Sequence, residues 1–273
     1  MSQTALSLSS RYGGTPPAVT LPALPIFDTL LAHASVRHFL PDALPEQTLP
    51  TLLAAAQSAA SSSNLQTWSV VAVQSQERRD RLSQLAGNQA HIRQAPLLLV
   101  WLADLSRTRR MGEQLQAPVA GTDYLDTFLM SAIDATLAAQ NATLAAEALG
   151  LGTVYIGGMR NQPEAVAQEL GLPPGVFAVF GLVVGHPDPA KPAAIKPRLP
   201  QSKVLHHEQY QTPTTLAEEV GDYDAHHRAF QASQGMPIKD WSQQVVERLH
   251  GPECLSGRHL LVESLHRMGF PLR

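Results

Sequence analysis

The sequence predicts an α+β fold, a layered α/β arrangement with helices packed on a sheet. Three observations carry this. "PLLLVWLAD" (96–104) and "VFAVFGLVVGHP" (176–187) are near-continuous apolar runs, the pattern of strands covered on both faces. "YLDTFLMSAIDATLAAQNATLAAEAL" (124–149) is rich in alanine and carries few charges, which specifies one long, buried helix. Around them, shorter segments alternate in the order ααβαβ, long helix, βαβ.

The elements follow in chain order. Residues 1–24, rich in Ser, Thr, Pro and Gly, read as a flexible tail. "PIFDTLLAHAS" is a short helix with proline near its first turn and Ile26, Leu30 and Leu31 on one face. A second helix lies between about Pro45 and Ala60, with Pro50 confined to its first turn. "WSVVAVQ" (68–74) is a β-branched strand, and "RRDRLSQLAG" a charged helix stopped by glycine. The strand 96–104 and the long helix come next. That helix is apolar at Leu125, Phe128, Leu129, Ala132, Ile133, Leu137, Leu144, Ala145 and Ala148, which cover more than one stripe. It must be buried on several sides, either central to one subunit or, as favoured here, shared with a second. "TVYIGG" (153–158), a helix around Glu164 to Leu170 and the strand 176–187 complete the layered part. From residue 201 a more polar stretch reads as a loop plus two or three helices, "SQQVVERLH" and "GRHLLVESLHRM" among them. Residues 25–273 are taken as one domain, with a helical excursion from about residue 205.

The 273 residues are ample for a sizeable core. A net charge of −3 gives no reason to expect nucleic acid or an anionic membrane as partner. The single cysteine, Cys254, excludes an intramolecular disulfide and any cysteine-rich metal site, and suits a cytoplasmic protein. No stretch has the pattern of a signal peptide or a membrane span.

Several segments carry residues suited to ligands. "HASVRHFL" (33–40) places His33, Ser35 and Arg37, three anion-binding side chains, within five residues. "SSSNLQTW" offers Ser61, Ser62, Ser63 and Gln66 just before a strand, either as a solvated loop or as donors to a ligand. Gly157 and Gly158, paired at the end of a strand, allow a flat ligand to approach the backbone. "AIKPRLP" holds Lys196 and Arg198 one residue apart on extended backbone, either as a solvated turn or as two aligned cations. The glycines of "ALGLGTVYIGG" follow a helix and precede a strand, the reverse of a dinucleotide-binding turn. His206, His207, His226 and His227 lack metal-ligand spacing and read as surface residues, so no metal is expected.

"HASVRHF", "SSSNLQTW", "GNQAHI", "LAAQNATLAAEALGLGTVYIGGMRN" and "KPRLP", in this order and spacing, resemble the nitroreductase/flavin reductase family. The nearest branch is that of the NADPH-dependent, oxygen-insensitive major nitroreductases and FMN reductases. The resemblance implies a central mixed, mainly antiparallel sheet flanked by helices, in an intertwined homodimer with FMN at the subunit interface. It implies that His33, Ser35 and Arg37 bind FMN, as do Ser61, Ser62, Ser63 and Gln66 of the serine-rich loop. Gln89 of "GNQAH" matches a glutamine on the flavin ring. Tyr155, Ile156, Gly157 and Gly158 match the segment whose backbone faces the isoalloxazine, and Lys196 and Arg198 the cations on the phosphate side. The implied activity is a ping-pong, two-electron reduction of nitroaromatics, quinones or related small acceptors by NADPH or NADH, with the flavin carrying the chemistry and no catalytic acid or base from the protein. Arg37 is expected near the pyrimidine edge, where it favours paired-electron transfer. Alternatives are a flavin reductase that supplies reduced FMN to a partner and a non-catalytic flavin-binding protein.

Two positions depart from the family's pattern. Ala34 stands where a second arginine often follows the motif histidine. NADPH-using relatives place an arginine pair before a "DTW"-like sequence, where this chain reads "QGMPIKDWSQQ" with Lys239 alone; Arg160 of "GGMRN" is retained. Arg160 and Lys239 are therefore the candidates for nucleotide or substrate contact. Without a guanidinium fork, NADH and NADPH are expected to be used within about an order of magnitude of each other.

Overall fold

The computed structural model describes residues 8–13 and 16–273. The chain forms two compact units, one drawn from Met1–Ala34 and Ala193–Leu255, the other from Ser35–Pro192 and Ser256–Arg273.

The larger unit is built on four strands, β1 (Trp68–Val73), β2 (Leu97–Asp104), β3 (Gly152–Ile156) and β4 (Val176–Gly185), in the order β1-β2-β4-β3 with every neighbour antiparallel. An isolated parallel bridge joins Ser35 to Thr153 of β3. β2 and β4 are central and covered on both faces, which is why these two apolar runs stand out in the sequence. Alternation along β2 divides the core. Leu98, Val100 and Leu102 join Ile156, Met159 and Val183 beneath Leu82 and Val166, from the helices Gln76–Leu85 and Pro163–Leu170. Leu97, Leu99 and Trp101 face the other way, against Leu52 and Ala56 of the helix Thr48–Gln57 and Ala138, Ala139, Ala142 and Ala146 of the long helix Leu125–Ala148. A third cluster gathers Leu105 and Phe177 with Leu265, Met268 and Phe270 at the end of the chain.

The long helix follows the alanine-rich pattern. Its buried side is made of small residues, so its backbone comes close to the sheet. Leu125, Leu129, Ile133 and Leu137 form a second stripe that is 43–56 % exposed in the single chain. The strand expected over 153–158 ends at Ile156, and Gly157–Arg160 turns away as a 3₁₀ helix. The helix Ser106–Leu115 was not expected, because its apolar side chains Met111 and Leu115 are both exposed and leave no core-facing stripe.

The smaller unit contains the helices Pro25–Ala32, Leu216–Val220, Tyr223–Ser233 and Trp241–Arg248. Asp224 accepts hydrogen bonds from Ser242 N and Oγ, and the Tyr223 and Trp241 rings meet edge to face at 5.2 Å. No residue of Pro25–Ala32 is buried, so among the described residues no core lies beneath the expected face of Ile26, Leu30 and Leu31. Of the span 1–24 expected as a flexible tail, residues 1–7 and 14–15 lie outside the described residues. Residues 8–11 are helical, and Arg11 is buried, unlike a side chain in a solvated tail. Among the described residues no helix is long and apolar enough to cross a membrane, and no group of three or more His, Cys, Asp or Glu could hold a metal ion.

Candidate functional site

In the larger unit, the segment after Ala34 lies beside β3. Val36 N donates to Thr153 O at 2.9 Å, and the Val36 side chain covers Gly152 so closely that a Cβ there would stand 2.8 Å away. Val36 and Phe39 are buried, while Arg37 and His38 are exposed. The half-buried His91 imidazole is held below the usual histidine range, first by burial and then by its electrostatic interaction with Arg37 and His38.

The serine-rich loop is shaped by one carboxylate. Asp134, on the long helix and 1 % exposed, accepts from Ser61 Oγ (2.7 Å), Ser62 N (3.1 Å), Thr67 N (3.3 Å) and Thr67 Oγ1 (3.2 Å). Ser61 Oγ also accepts from Gln66 N at 2.8 Å, so this hydroxyl is engaged within the loop. Ser62, Ser63 and Gln66 have exposed side chains. Ser63, Asn64 and Gln66 all have left-handed backbone, with φ of 48°, 55° and 53°. Such strain persists only where surrounding contacts over-determine the loop, as the four bonds to Asp134 do. Asp134 was not singled out from the sequence. The available signal was a carboxylate in the middle of an alanine-rich helix, flanked by apolar residues, which must be paired if it is buried.

At the end of β3 the chain turns tightly. A Cβ on Gly158 would lie 2.4 Å from Ala86 O and 2.8 Å from Gln89 Nε2, so only glycine fits and Gln89 sits directly against it. Gln89 Nε2 donates to Ala86 O at 2.7 Å, and the Gln89 backbone carbonyl accepts from Ser83 Oγ at 2.8 Å. The space beside Gly157 is bounded by Arg160 Nη2 and Arg258 Nη1, 3.5 and 3.7 Å from where its Cβ would be. Arg160 donates to Val179 O, and burial with the neighbouring Arg258 charge lowers its affinity for the proton. Arg258 is a residue that sequence reasoning missed, because it lies about 100 positions after the glycine pair in a segment without a recognised motif.

The side chains before the turn face away from it. Ile156 is fully buried in the core, and Tyr155 packs edge to face on Phe180 and exchanges hydrogen bonds with Thr143 and Gln140 of the long helix. Burial keeps the Tyr155 phenol above the ordinary tyrosine range, against the Thr143 hydrogen bond and with the Glu147 charge. Only the backbone of these two residues is available on the glycine side.

In the smaller unit, Lys196 and Arg198 are exposed on either side of the buried Pro197. Pro197 O accepts from Tyr223 Oη at 2.8 Å, which anchors the extended backbone between the two cations. His33 closes the helix Pro25–Ala32 in a non-helical conformation. The Lys239 ammonium is paired with Glu247, and its backbone N donates to Gln231 Oε1 at 2.9 Å.

Residues 30–186 match the Nitroreductase family, and residues 196–273 match the Nitroreductase family, C-terminal domain. The NADPH-flavin oxidoreductase of Vibrio harveyi is 38 % identical over 226 residues, covering 82 % of this chain and 90 % of the relative. The FMN reductase [NAD(P)H] of Bacillus subtilis is 37 % identical over 251 residues, covering 90 % and 97 %. The solved structure of NfrA2 from B. megaterium superimposes with a TM-score of 0.85 at 40 % identity, covering 92 % of this chain and 99 % of that one. With the four-stranded sheet, the strained serine loop and the glycine turn all inside the matched region, the chain belongs to the nitroreductase family.

Proposed function

We propose that this chain is an FMN-dependent NAD(P)H oxidoreductase that reduces nitroaromatics, quinones or related flat acceptors, and that it works as a homodimer. Family membership and relatives named as flavin oxidoreductases and FMN reductases support the activity. The observation that carries the cofactor is the turn Gly157–Arg160, where glycine backbone, the fixed Gln89 amide and two guanidinium groups stand together.

The residues suit this group. An isoalloxazine needs an approachable backbone and few fixed polar contacts, which Gly157, Gly158 and Gln89 supply with the backbone of Tyr155 and Ile156. A phosphate needs several charge-assisted donors, for which His33, Ser35, Lys196 and Arg198 are the assigned set. Ser62, Ser63 and Gln66 offer donors from a loop that Ser61 and Asp134 hold rigid. FMN held there would supply the two-electron hydride chemistry between NAD(P)H and the acceptor. The protein's task is binding and electrostatics. Arg37 places a fixed positive charge for the reduced ring, and Arg160 with Arg258 favours anionic or electron-rich partners beside Gly157.

The dimer rests on the long helix. Leu125, Leu129, Ile133 and Leu137 recur every four residues on one face, an apolar stripe that a second copy would cover. An anaerobic visible spectrum of the purified protein, recorded before and after NADPH and separately NADH, tests the reading. A bound-flavin spectrum that bleaches is expected. A colourless protein that FMN cannot reconstitute would overturn it.

A further inference from the structure

We infer that Arg11, which lies before the region matching the family, is a positioning residue that fixes the phosphate-side donors of the flavin site; the inference rests on the flavin reading above. The match to the family begins at residue 30. Arg11 is nevertheless only 8 % exposed, in a stretch whose composition reads as tail. Its guanidinium donates to Leu31 O at 2.9 Å, to His33 O at 2.6 Å and to Lys196 O at 3.1 Å, and its own carbonyl accepts from Arg198 N at 2.8 Å. One residue thereby ties both donor-bearing segments of the smaller unit, "HA" at 33–34 and "KPR" at 196–198.

Both segments need outside donors and acceptors. The last carbonyls of a helix have no partner within it. The helix Pro25–Ala32 has no basic residue in its last turn, and it is followed by His33 at φ −47° and ψ 126°, not by a glycine cap. Arg11 supplies the donors for Leu31 and His33. In "KPR", Pro197 has no N–H to pair, so this extended segment cannot be held by a regular ladder. Arg11 grips it on both sides of the proline, through Lys196 O and Arg198 N, while Tyr223 holds Pro197 O.

A guanidinium presents five N–H donors in a rigid plane and can serve three carbonyls at once, which a lysine ammonium on its flexible stem does less well. Removing Arg11 leaves the side chains of His33, Lys196 and Arg198 in place but releases the backbone that aims them. Affinity then falls by the cost of ordering these groups on binding, and the loss falls on the phosphate.

The comparison of FMN with riboflavin, which lacks the phosphate, isolates this effect. Apoprotein is titrated with each flavin by fluorescence quenching, for wild type, Arg11→Ala and Arg11→Lys. Wild type is expected to prefer FMN. Arg11→Ala is expected to weaken FMN by about tenfold with riboflavin changed less than about twofold, and Arg11→Lys to recover part of the loss. Unchanged FMN affinity, or an equal loss for both flavins, would overturn the role assigned to Arg11. A wild type that binds FMN no better than riboflavin would overturn the phosphate assignment, and with it the inference. If Arg11→Ala does not fold, Arg11→Lys carries the test, with an expected fall of about threefold in the FMN-to-riboflavin preference.

Discussion

Asp134 holds four donors of the serine-rich loop from a position with 1 % exposure. Truncation leaves the two buried Thr67 donors unpaired and frees Ser61 and Ser62, so Asp134→Ala is expected to destabilise the protein by about 3 kcal/mol in urea titrations and to lower its flavin content. Gly158 is constrained by backbone, since a methyl group would meet Ala86 O at 2.4 Å. Gly158→Ala is expected to cost about 2 kcal/mol in the same assay, because the nearest atom is a backbone carbonyl that cannot swing aside. Asp104 sets part of the acid limit. Burial pushes its carboxyl up, but hydrogen bonds from Ser106 and Ser69 and the Arg107 charge outweigh that and hold it below the usual carboxylate range. The folded value therefore lies below the unfolded one. The stability it contributes is present above about pH 4 and is lost as pH falls through the folded value. Asp104→Asn should lower the denaturation midpoint at pH 7, with a gap to wild type that closes as the pH is taken towards 3; a gap independent of pH would refute this.

Among the elements, β3 and its turn divide their work by face. Tyr155 and Ile156 send side chains into the helix layer and the core, and the glycines after them leave backbone on the other side. The segment around Lys239 departs most from the pattern of NADPH-using relatives. Its ammonium is engaged with Glu247, so the one cation expected there for a 2′-phosphate already has a carboxylate partner. Steady-state kcat/KM values for NADPH and NADH within about an order of magnitude of each other are expected, and strong selectivity for NADPH would show that other cations grip the phosphate. The strand segments, the long helix and the serine, glycine and lysine–arginine motifs could be picked out in the sequence because each is a local pattern. The helix Ser106–Leu115 could not, because an exposed, charged segment carries no burial period.

For the whole molecule, the exposed stripe of the long helix carries the expected assembly. Ile133→Glu places a charge at its centre and should convert the dimer to a monomer in sedimentation or light-scattering measurements, with loss of bound flavin if the site needs both copies. A wild type that sediments as a monomer would remove the shared-helix reading. The sequence by itself determined the fold class, the two central strands, the single long helix and the family, because burial on both faces, alanine content and spaced motifs are written locally along the chain. Only the tertiary structure decided that Asp134 shapes the serine loop 73 residues away, that Arg258 stands with Arg160 beside Gly157, and that Arg11 reaches a carbonyl 185 residues distant. Periodicity records which face a side chain takes. The partner of a buried charge is chosen by chain folding, which brings together residues whose separation leaves no local trace.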